Sequence, residues 1–412
     1  MNLRNGLRHN GNGFYAQITG WGSCVPEKVV TNEALARIVD TTDEWITSRT
    51  GIKSRHIVGS ERETTALLAT RAGRDALIVA GLPPSRLDLI IVATATPEYV
   101  FPSTASLVQD ALGASSAGAF DLSAGCSGFI YALNMAIGTV KSGAADHVLV
   151  IGAETLSRIT DWTDRNTCVL FGDGAGAVVV SACLDKCGVL ATELGSDGSG
   201  GDLLIVPAGG SRQPASIETV SNGGHYIKMN GREVFRFATT VMPRATENVV
   251  RKAGWEMGEI SLIIPHQANT RIIESAAKRL NVPMDRFFVN LERYGNTSAA
   301  SIPIALVEAI ALGKVRPGDK IVLVAFGAGL TWGAAAVEWG MPPAPTTKSF
   351  FDRLLARFGF FSAGARSLIL RTERHVYNWI MGPVGKDDWR GRLRQRVDRA
   401  RSNIRDNFRE PD

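Results

Sequence analysis

Ala80-Gly81-Leu82-Pro83-Pro84-Ser85-Arg86-Leu87-Asp88-Leu89-Ile90-Ile91 is echoed 173 residues later by Ala253-Gly254-Trp255-Glu256-Met257-Gly258-Glu259-Ile260-Ser261-Leu262-Ile263-Ile264. Each copy reads as a helix end, a short loop and a buried strand. The same offset carries Asp146-His147-Val148-Leu149-Val150-Ile151 onto Asp319-Lys320-Ile321-Val322-Leu323-Val324, another apolar run of strand type. Between these matches it sets Ser127–Leu133 on Ala300–Leu306, both small-residue openings of helices with apolar positions at helical spacing. A long-range repeat with its elements in one order is an internal duplication.

Strands alternating with helices, twice over, predict two α/β halves whose sheets are covered by helices on both faces. The halves are expected at residues 15–187 and 188–342, with the Gly/Pro/Ser-rich stretch Gly195–Pro214 as a surface loop. Met341-Pro342-Pro343-Ala344-Pro345-Thr346-Thr347 cannot continue helix or central strand and marks a boundary before residues 343–412. Cys126 follows a predicted strand Ala119–Leu122, His266 directly follows Leu262–Pro265, and Cys126 and Asn296 fall near equivalent helix starts. Strand ends facing a common crevice are where open α/β sheets bind ligands.

With 45% hydrophobic and 21% charged residues among 412, the chain has the composition of a globular protein and not of a disordered one. The longest apolar runs, such as Ile90–Thr96 and Ile321–Phe326, are too short to span a bilayer. Met1–Gly13 has arginines but no apolar stretch and no small-residue cleavage site, so a cytoplasmic location is expected. The five cysteines, Cys24, Cys126, Cys168, Cys183 and Cys187, are an odd set without a CxxC pair. That argues against a disulfide framework and a zinc site, and no metal is expected. The net charge of +5 is unevenly spread: residues 343–412 hold 15 Lys/Arg against 8 Asp/Glu, leaving 30 against 32 for the rest.

Cys126 sits in Asp121-Leu122-Ser123-Ala124-Gly125-Cys126-Ser127-Gly128-Phe129, a strand, a small-residue turn and a helix start. Glycine lets the backbone turn sharply, and a thiol at a helix N-terminus feels a dipole that favours thiolate. A buried structural cysteine fits the same local sequence. His266, in Ile264-Pro265-His266-Gln267-Ala268-Asn269, and Asn296, in Tyr294-Gly295-Asn296-Thr297-Ser298-Ala299-Ala300-Ser301, stand where strands break into small or polar residues. Each alone reads equally as a hydrogen-bonded structural histidine or a turn asparagine.

Together these segments resemble the β-ketoacyl-[acyl-carrier-protein] synthase III family of thiolase-like condensing enzymes over roughly Ile18 to Trp339. Asp43–Ile52, Asp164-Arg165, Phe171–Ala177, Gly231–Phe235 and Ala325–Gly333 support it. The resemblance implies duplicated thiolase-like α/β halves in a five-layered αβαβα core. It also implies decarboxylative Claisen condensation of an acyl-CoA primer with malonyl-[acyl-carrier-protein]. Coenzyme A enters as part of a substrate thioester, so no separate cofactor is implied. One histidine with an asparagine separates the chain from elongating synthases, which use two histidines. The absence of a cysteine in Phe326–Gly333 separates it from true thiolases. Carried over position by position, Cys126, His266 and Asn296 are catalytic, and the N–H groups of Cys126 and Ala328 form the oxyanion hole. Many members have glycine at the Ala328 position; alanine keeps the N–H. Trp45, Arg49, Arg165, Gly231, Phe235 and Asn269 bind CoA, and Phe326 lines the acyl pocket. Phe101 reaches across a homodimer interface to close the partner's pocket. Arg236, Arg271, Lys278 and Arg279 meet the acidic carrier protein.

Residues 346–412 have no counterpart in the family pattern. Phe350, Phe351, Leu354, Leu355 and Phe358 recur at helical spacing, and Trp389–Arg409 holds eight arginines. A helical, basic extension is expected, either packed on the enzyme or in contact with an anionic membrane surface, acidic carrier protein or nucleic acid. Three functions compete: a priming condensing enzyme, starter-unit condensation or acyl transfer in a polyketide or other secondary pathway, and a catalytically silent scaffold.

Overall fold

The computed structural model describes residues 15–184 and 187–340, together with 372, 373, 376 and 377, which are helical. The expectations for Met1–Gly13, the proline linker, the apolar stripe from Phe350 and the Trp389–Arg409 segment lie outside the described residues. Among the described residues no helix is long and apolar enough to cross a membrane.

The first half opens with β1 (Tyr15–Cys24), β2 (Val29–Thr31), α1 (Asn32–Leu35), α2 (Asp43–Thr50) and β3 (Ser54–His56). It continues through α3 (Thr65–Ala80), β4 (Leu89–Ala93), α4 (Thr104–Leu112), β5 (Gly118–Leu122), α5 (Gly128–Lys141), β6 (His147–Thr155) and β7 (Asp173–Cys183). The second half begins with β8 (Gly188–Ser196), β9 (Leu204–Ile205), α6 (Ile217–Ser221), β10 (Lys228–Met229) and α7 (Gly231–Lys252). Next come β11 (Leu262–Pro265), α8 (Thr270–Leu280), α9 (Leu291–Tyr294), α10 (Ser301–Ala311), β12 (Lys320–Gly327) and β13 (Thr331–Glu338).

One sheet has the order β1-β7-β6-β4-β5 and the other β8-β13-β12-β11. The first two pairings of each are antiparallel and the next is parallel. A parallel bridge between Ile263 and Phe287 extends the second sheet on the side where β5 extends the first. Three strand pairs keep the repeat to the residue: β8, β11 and β12 each begin 173 positions after β1, β4 and β6, whereas β13 begins 158 after β7. The shift of 173 also relates the 3-10 turns Pro84–Arg86 and Met257–Glu259, and the turns Gly125–Ser127 and Ser298–Ala300. Cys126 therefore has Ala299 as its counterpart, and Asn296 stands three residues before it. Gly195–Pro214 is not wholly loop: it completes β8, forms the 3-10 turn Gly198–Gly200 and contributes β9, which pairs with β10.

Strand side chains alternate between faces, and both faces of each sheet are covered, so these strands read as unbroken apolar runs. Ile90 and Val92 of β4 pack outward against Leu68 and Ala72 of α3 and Val108 of α4. Ile91 packs inward with Phe129 and Leu133 of α5 and Ile302 and Leu306 of α10. Ile321, Leu323 and Ala325 of β12 join that same central cluster. Val322, Val324 and Phe326 face Val241 and Met242 of α7 and Ile272 and Ile273 of α8. The helices α5 and α10 thus lie between the sheets.

The turn Ser298–Ala300 rests directly on β6. A Cβ on Gly152 would lie 2.1 Å from the Ala299 carbonyl oxygen, a distance no packing tolerates. Gly152→Ala should push this turn away, lowering stability by about 1–3 kcal/mol, the usual range for overpacking. Gly138→Ala, in α5 with nothing within 4 Å of a new Cβ, should raise stability through helix propensity by about 0.5–1 kcal/mol. Urea denaturation of the two variants checks the contrast.

Candidate active site

Cys126 lies in the turn Gly125–Ser127 that joins the end of β5 to α5. Asp121 fixes that strand end by accepting from the Thr104 and Ala105 N–H groups at 2.7 and 2.8 Å, which also caps α4. Gly125 has φ +52, and a Cβ there would come within 2.9 Å of Ala328 N. On the other side, a Cβ on Gly327 would lie 2.6 Å from Cys126 N. Two bare backbones therefore meet here, and the amides of Cys126 and Ala328 belong to neighbouring segments.

Cys126 is buried, and burial pushes its thiol up to about 12. This is opposite to the direction expected from the helix terminus. The dipole visible in the sequence is outweighed by desolvation, and the resting sulfur is protonated. The Ser298 side chain acts to lower this value and the Glu154 carboxyl to raise it.

His266 donates its backbone N–H to Val324 O at 2.8 Å, which continues the β11–β12 ladder by one residue. Its ring is buried, stands edge-on to Phe326 at 5.2 Å, and has its pKa pushed down to about 3 by burial. The imidazole is neutral. Its Nδ1 lies 2.6 Å from Ser301 Oγ. That oxygen also takes the Gln267 N–H at 3.4 Å, so the serine proton is free to point at Nδ1. With the serine hydroxyl donating to Nδ1, the ring proton sits on Nε2, away from Ser301.

Gly295, with φ +65 and ψ −157, turns the chain from α9 into Asn296 in a conformation suited to glycine. The Asn296 N–H donates to Leu170 O at 2.8 Å, and its carbonyl accepts from Gly172 N at 2.9 Å. Asn296 Oδ1 accepts the Ser298 N–H at 2.8 Å, which leaves the side-chain NH2 as the group available to a ligand. Ser298 itself has φ +48, unusual for a residue with a Cβ. Beneath this segment Arg55 is wholly buried, giving hydrogen bonds to Val30 O, Asn32 Oδ1 and Val169 O at 3.2, 2.8 and 2.7 Å.

Cys126, His266, Asn296 and Phe326 line one cavity of about 990 Å³ with Trp45, Arg49, Gly231, Phe235, Asn269 and Arg271. The first four are buried, whereas Arg49, Gly231 and Arg271 are exposed, so the cavity runs from surface to sulfur. The Arg49 and Arg165 guanidinium groups lie 4.8 and 5.0 Å from the Trp45 ring centre. Arg165 does not line the cavity and is held by Asp40. Asn269 joins α2 to α8, donating to Arg49 O at 3.0 Å and accepting from Arg271 N at 2.9 Å. Arg271 lies over the Phe235 ring at 5.6 Å.

Other expected residues are not brought into the cavity. Phe101 is 84% exposed on a loop that also exposes Tyr99 and Val100. Arg236 pairs with Glu233 on α7, and Arg279 donates to Thr239 O. These two and Lys278 lie outside the lining, and Arg271 alone of the four docking candidates belongs to it. Sequence reasoning passed over Ser298, Ser301, Glu154 and Arg55. Ser298 and Ser301 stood within the stretch quoted for Asn296, and Glu154 is an acid at the end of an apolar strand run.

Comparison with known proteins follows from this geometry. The C-terminal model of 3-oxoacyl-[acyl-carrier-protein] synthase III matches residues 250–339, and the 3-oxoacyl-[acyl-carrier-protein] synthase III model matches residues 120–198. The beta-ketoacyl-[acyl-carrier-protein] synthase III of Symbiobacterium thermophilum is 55% identical over 323 residues, 78% of this chain and 98% of that protein. That of Caldanaerobacter subterraneus is 56% identical over 324 residues, 79% and 98% of the two chains. The crystal structure of 3-oxoacyl-[acyl-carrier-protein] synthase III from Aquifex aeolicus matches with TM-score 0.73 and 53% identity, covering 78% of this chain and 99% of that one. A priming β-ketosynthase from a polyketide biosynthetic pathway matches with TM-score 0.75 and 36% identity, covering 82% and 100%.

Nitrogen-15 spectra of histidine-labelled protein should show His266 as the neutral Nε2–H tautomer throughout about pH 5–8, since its proton affinity is lost well below that range. Ser301→Ala should convert it to a tautomer mixture.

Proposed function

The chain belongs to the 3-oxoacyl-[acyl-carrier-protein] synthase III family, and from that membership we propose that Cys126, His266 and Asn296 perform its chemistry. The protein is an acyltransferase that condenses an acyl-CoA primer with malonyl-[acyl-carrier-protein], giving the 3-oxoacyl-[acyl-carrier-protein] that initiates fatty acid synthesis. The observation that carries the residue assignment is the convergence of those three side chains on the buried end of one cavity.

In the first half-reaction the Cys126 sulfur attacks the acyl-CoA carbonyl, the C–S bond to CoA breaks, and the acyl group passes to Cys126. The adjacent Cys126 and Ala328 amides support an oxyanion hole at this step. In the second, the malonyl thioester loses CO2, and the resulting enolate carbon attacks the acyl carbonyl and releases Cys126. The enolate oxygen needs donors that carry no positive charge to be neutralised and no proton to be removed beforehand. Neutral His266 through Nε2–H and Asn296 through its amide meet both conditions. Burial holds the histidine in that form, and Ser298 N–H turns the asparagine so that it donates.

Trp45 and Arg49 at the mouth, with Arg165 packed on the Trp45 ring outside the lining, supply an aromatic residue and cations suited to a nucleotide, with Gly231, Phe235 and Asn269 beside them. Exposure of Phe101 supports its reading as a residue covered by a second copy in a homodimer. Arg236, Arg271, Lys278 and Arg279, on α7 and α8, suit an acidic carrier protein. The placement of α5 and α10 between the sheets, with α3 and α4 on one outer side and α7 and α8 on the other, supports a five-layered αβαβα core built from residues 15–187 and 188–342. A cytoplasmic setting accords with the two substrates. Starter-unit condensation in a polyketide pathway is the second reading, but identity to the polyketide priming enzyme is lower than to the fatty-acid relatives.

Asn296→Ala should be acylated at the normal rate yet decarboxylate about a hundred- to a thousandfold more slowly, the cost of one oxyanion donor at about 3–4 kcal/mol. Intact-mass spectrometry after acyl-CoA and CO2 release after malonyl-[acyl-carrier-protein] separate the two steps; normal condensation by this variant removes Asn296 from the mechanism.

A further inference from the structure

Close enough to Cys126 for its charge to act on the thiol lies a carboxyl group that the condensation scheme leaves unused. Glu154, near the end of β6, is wholly buried. Gly152 and Glu154 point to the same face of β6. Because Gly152 has no side chain, the turn Ser298–Ala300 lies flat on that face and brings Ser298 and the Ala299 amide to Glu154. The start of α5 touches the same turn, since a Cβ on Gly128 would lie 3.6 Å from Ala299 Cβ. Ser298, in its strained positive-φ conformation, therefore lies where the Cys126 turn meets the Glu154 face of β6, and its side chain acts to lower the proton affinity of both the thiol and the carboxyl. Strain of this kind in a buried residue calls for a functional account.

The rest of Glu154's surroundings are hydroxyls and amides. Oε2 accepts from Thr96 Oγ1 at 2.6 Å, Thr94 Oγ1 at 3.3 Å and Ala95 N at 3.1 Å. Among the acids on neighbouring elements, Asp173 at the start of β7 is engaged by Val58 N, Ser157 N and Ser157 Oγ. Glu98 accepts from Ala66 N. Cys126, on the turn before α5, is the titratable group on which the Glu154 charge acts.

We propose that Glu154 is a positioning residue for the nucleophile, exchanging a proton with the Cys126 thiol through the Ser298 hydroxyl. This rests on Cys126 being the acylated residue. As the sulfur attacks the acyl-CoA carbonyl, its proton passes to Ser298 Oγ while Ser298's own proton passes to Glu154. The C–S bond to CoA breaks, and the departing CoA thiolate takes a proton from water. In the condensation half, the bond from the malonyl carbon to its carboxylate breaks and its electrons form the new C–C bond. The Cys126 C–S bond then breaks, and the thiolate recovers the proton from Glu154 by the same path. His266 is a poor alternative acceptor, its pKa being pushed down to about 3, whereas burial raises Glu154 to about 7. An acceptor with a pKa near the working pH is the more effective base.

Glu154 accepts a proton only when ionised, so acylation should rise as pH climbs through about 7 and fall below it. The test follows acyl transfer to Cys126 by rapid-quench intact mass, with the fastest-labelling member of an acyl-CoA panel, across about pH 5.5–9. Glu154→Gln should slow acylation about a hundredfold at pH 8 and abolish the rise near 7, in line with general-base effects. Ser298→Ala, which leaves the carboxyl in place, should show the same deficit, and Glu154→Asp should restore part of the rate and the rise. Wild-type rates and profiles in Glu154→Gln and Ser298→Ala overturn the proposal, as does a uniform slowing that leaves the pH profile unchanged. If Glu154→Gln does not fold, the Ser298→Ala profile decides the matter. Peptide mapping keeps the underlying assignment separate: label that maps to another residue and persists in Cys126→Ala refutes Cys126 as nucleophile, whereas label at Cys126 with unaltered variants refutes only the relay.

Discussion

The contact on which the site depends is backbone against backbone, where the turn Ser298–Ala300 of one half lies on β6 of the other across Gly152. Any side chain at Gly152 would fill that space. Because it is empty, α10 starts at the seam, Ser301 reaches His266, and Ser298 orients the Asn296 amide. Gly327 and Gly125 do the same for the Cys126 turn against the end of β12. The reactive groups are positioned by three glycines that let strands and turns approach closely, as much as by the residues that bear them.

Burial then fixes the protonation states. Desolvation disfavours every charged form, so the thiol stays protonated and the imidazole stays neutral. The outcome suits a site that must admit an anionic malonyl group and stabilise a developing enolate with neutral donors. A histidinium would hold the carboxylate that has to depart. Arg55 is the exception, a cation wholly buried whose two terminal nitrogens donate to carbonyl and amide oxygens while its Nε has no partner among the described residues, with its pKa lowered only to about 10. It braces Val169 beside the Leu170 carbonyl that receives the Asn296 N–H.

Much of the fold was legible because β4, β6, β11 and β12 are buried on both faces and so appear as apolar runs, and because their spacing repeats. Cys126, His266 and Asn296 were legible as candidates because each follows the abrupt end of a strand or a glycine turn. What could not be read were pairings made by folding: His266 with Ser301, 35 positions away, and Glu154 with Ser298, far more distant in sequence. The direction of the Cys126 shift was missed for a related reason, since a helix terminus can be seen in a sequence while the depth of burial cannot. Gly195–Pro214 misled by composition, its glycines and serines masking the two residues of β9 that pair with β10.

The shared offset of the two seam turns has a further consequence. The turns Gly125–Ser127 and Ser298–Ala300 are counterparts that meet at the seam, and they carry cysteine in one and alanine in the other at the matching position. Two identical chains paired in this way would place the same residue on both sides of the axis. A nucleophile could then face only another nucleophile. Joining the copies into one chain lets selection act on each separately, so that one turn keeps the sulfur while the other becomes the support for asparagine, serine and histidine. Covalent fusion here is what permits a division of labour that symmetry would forbid.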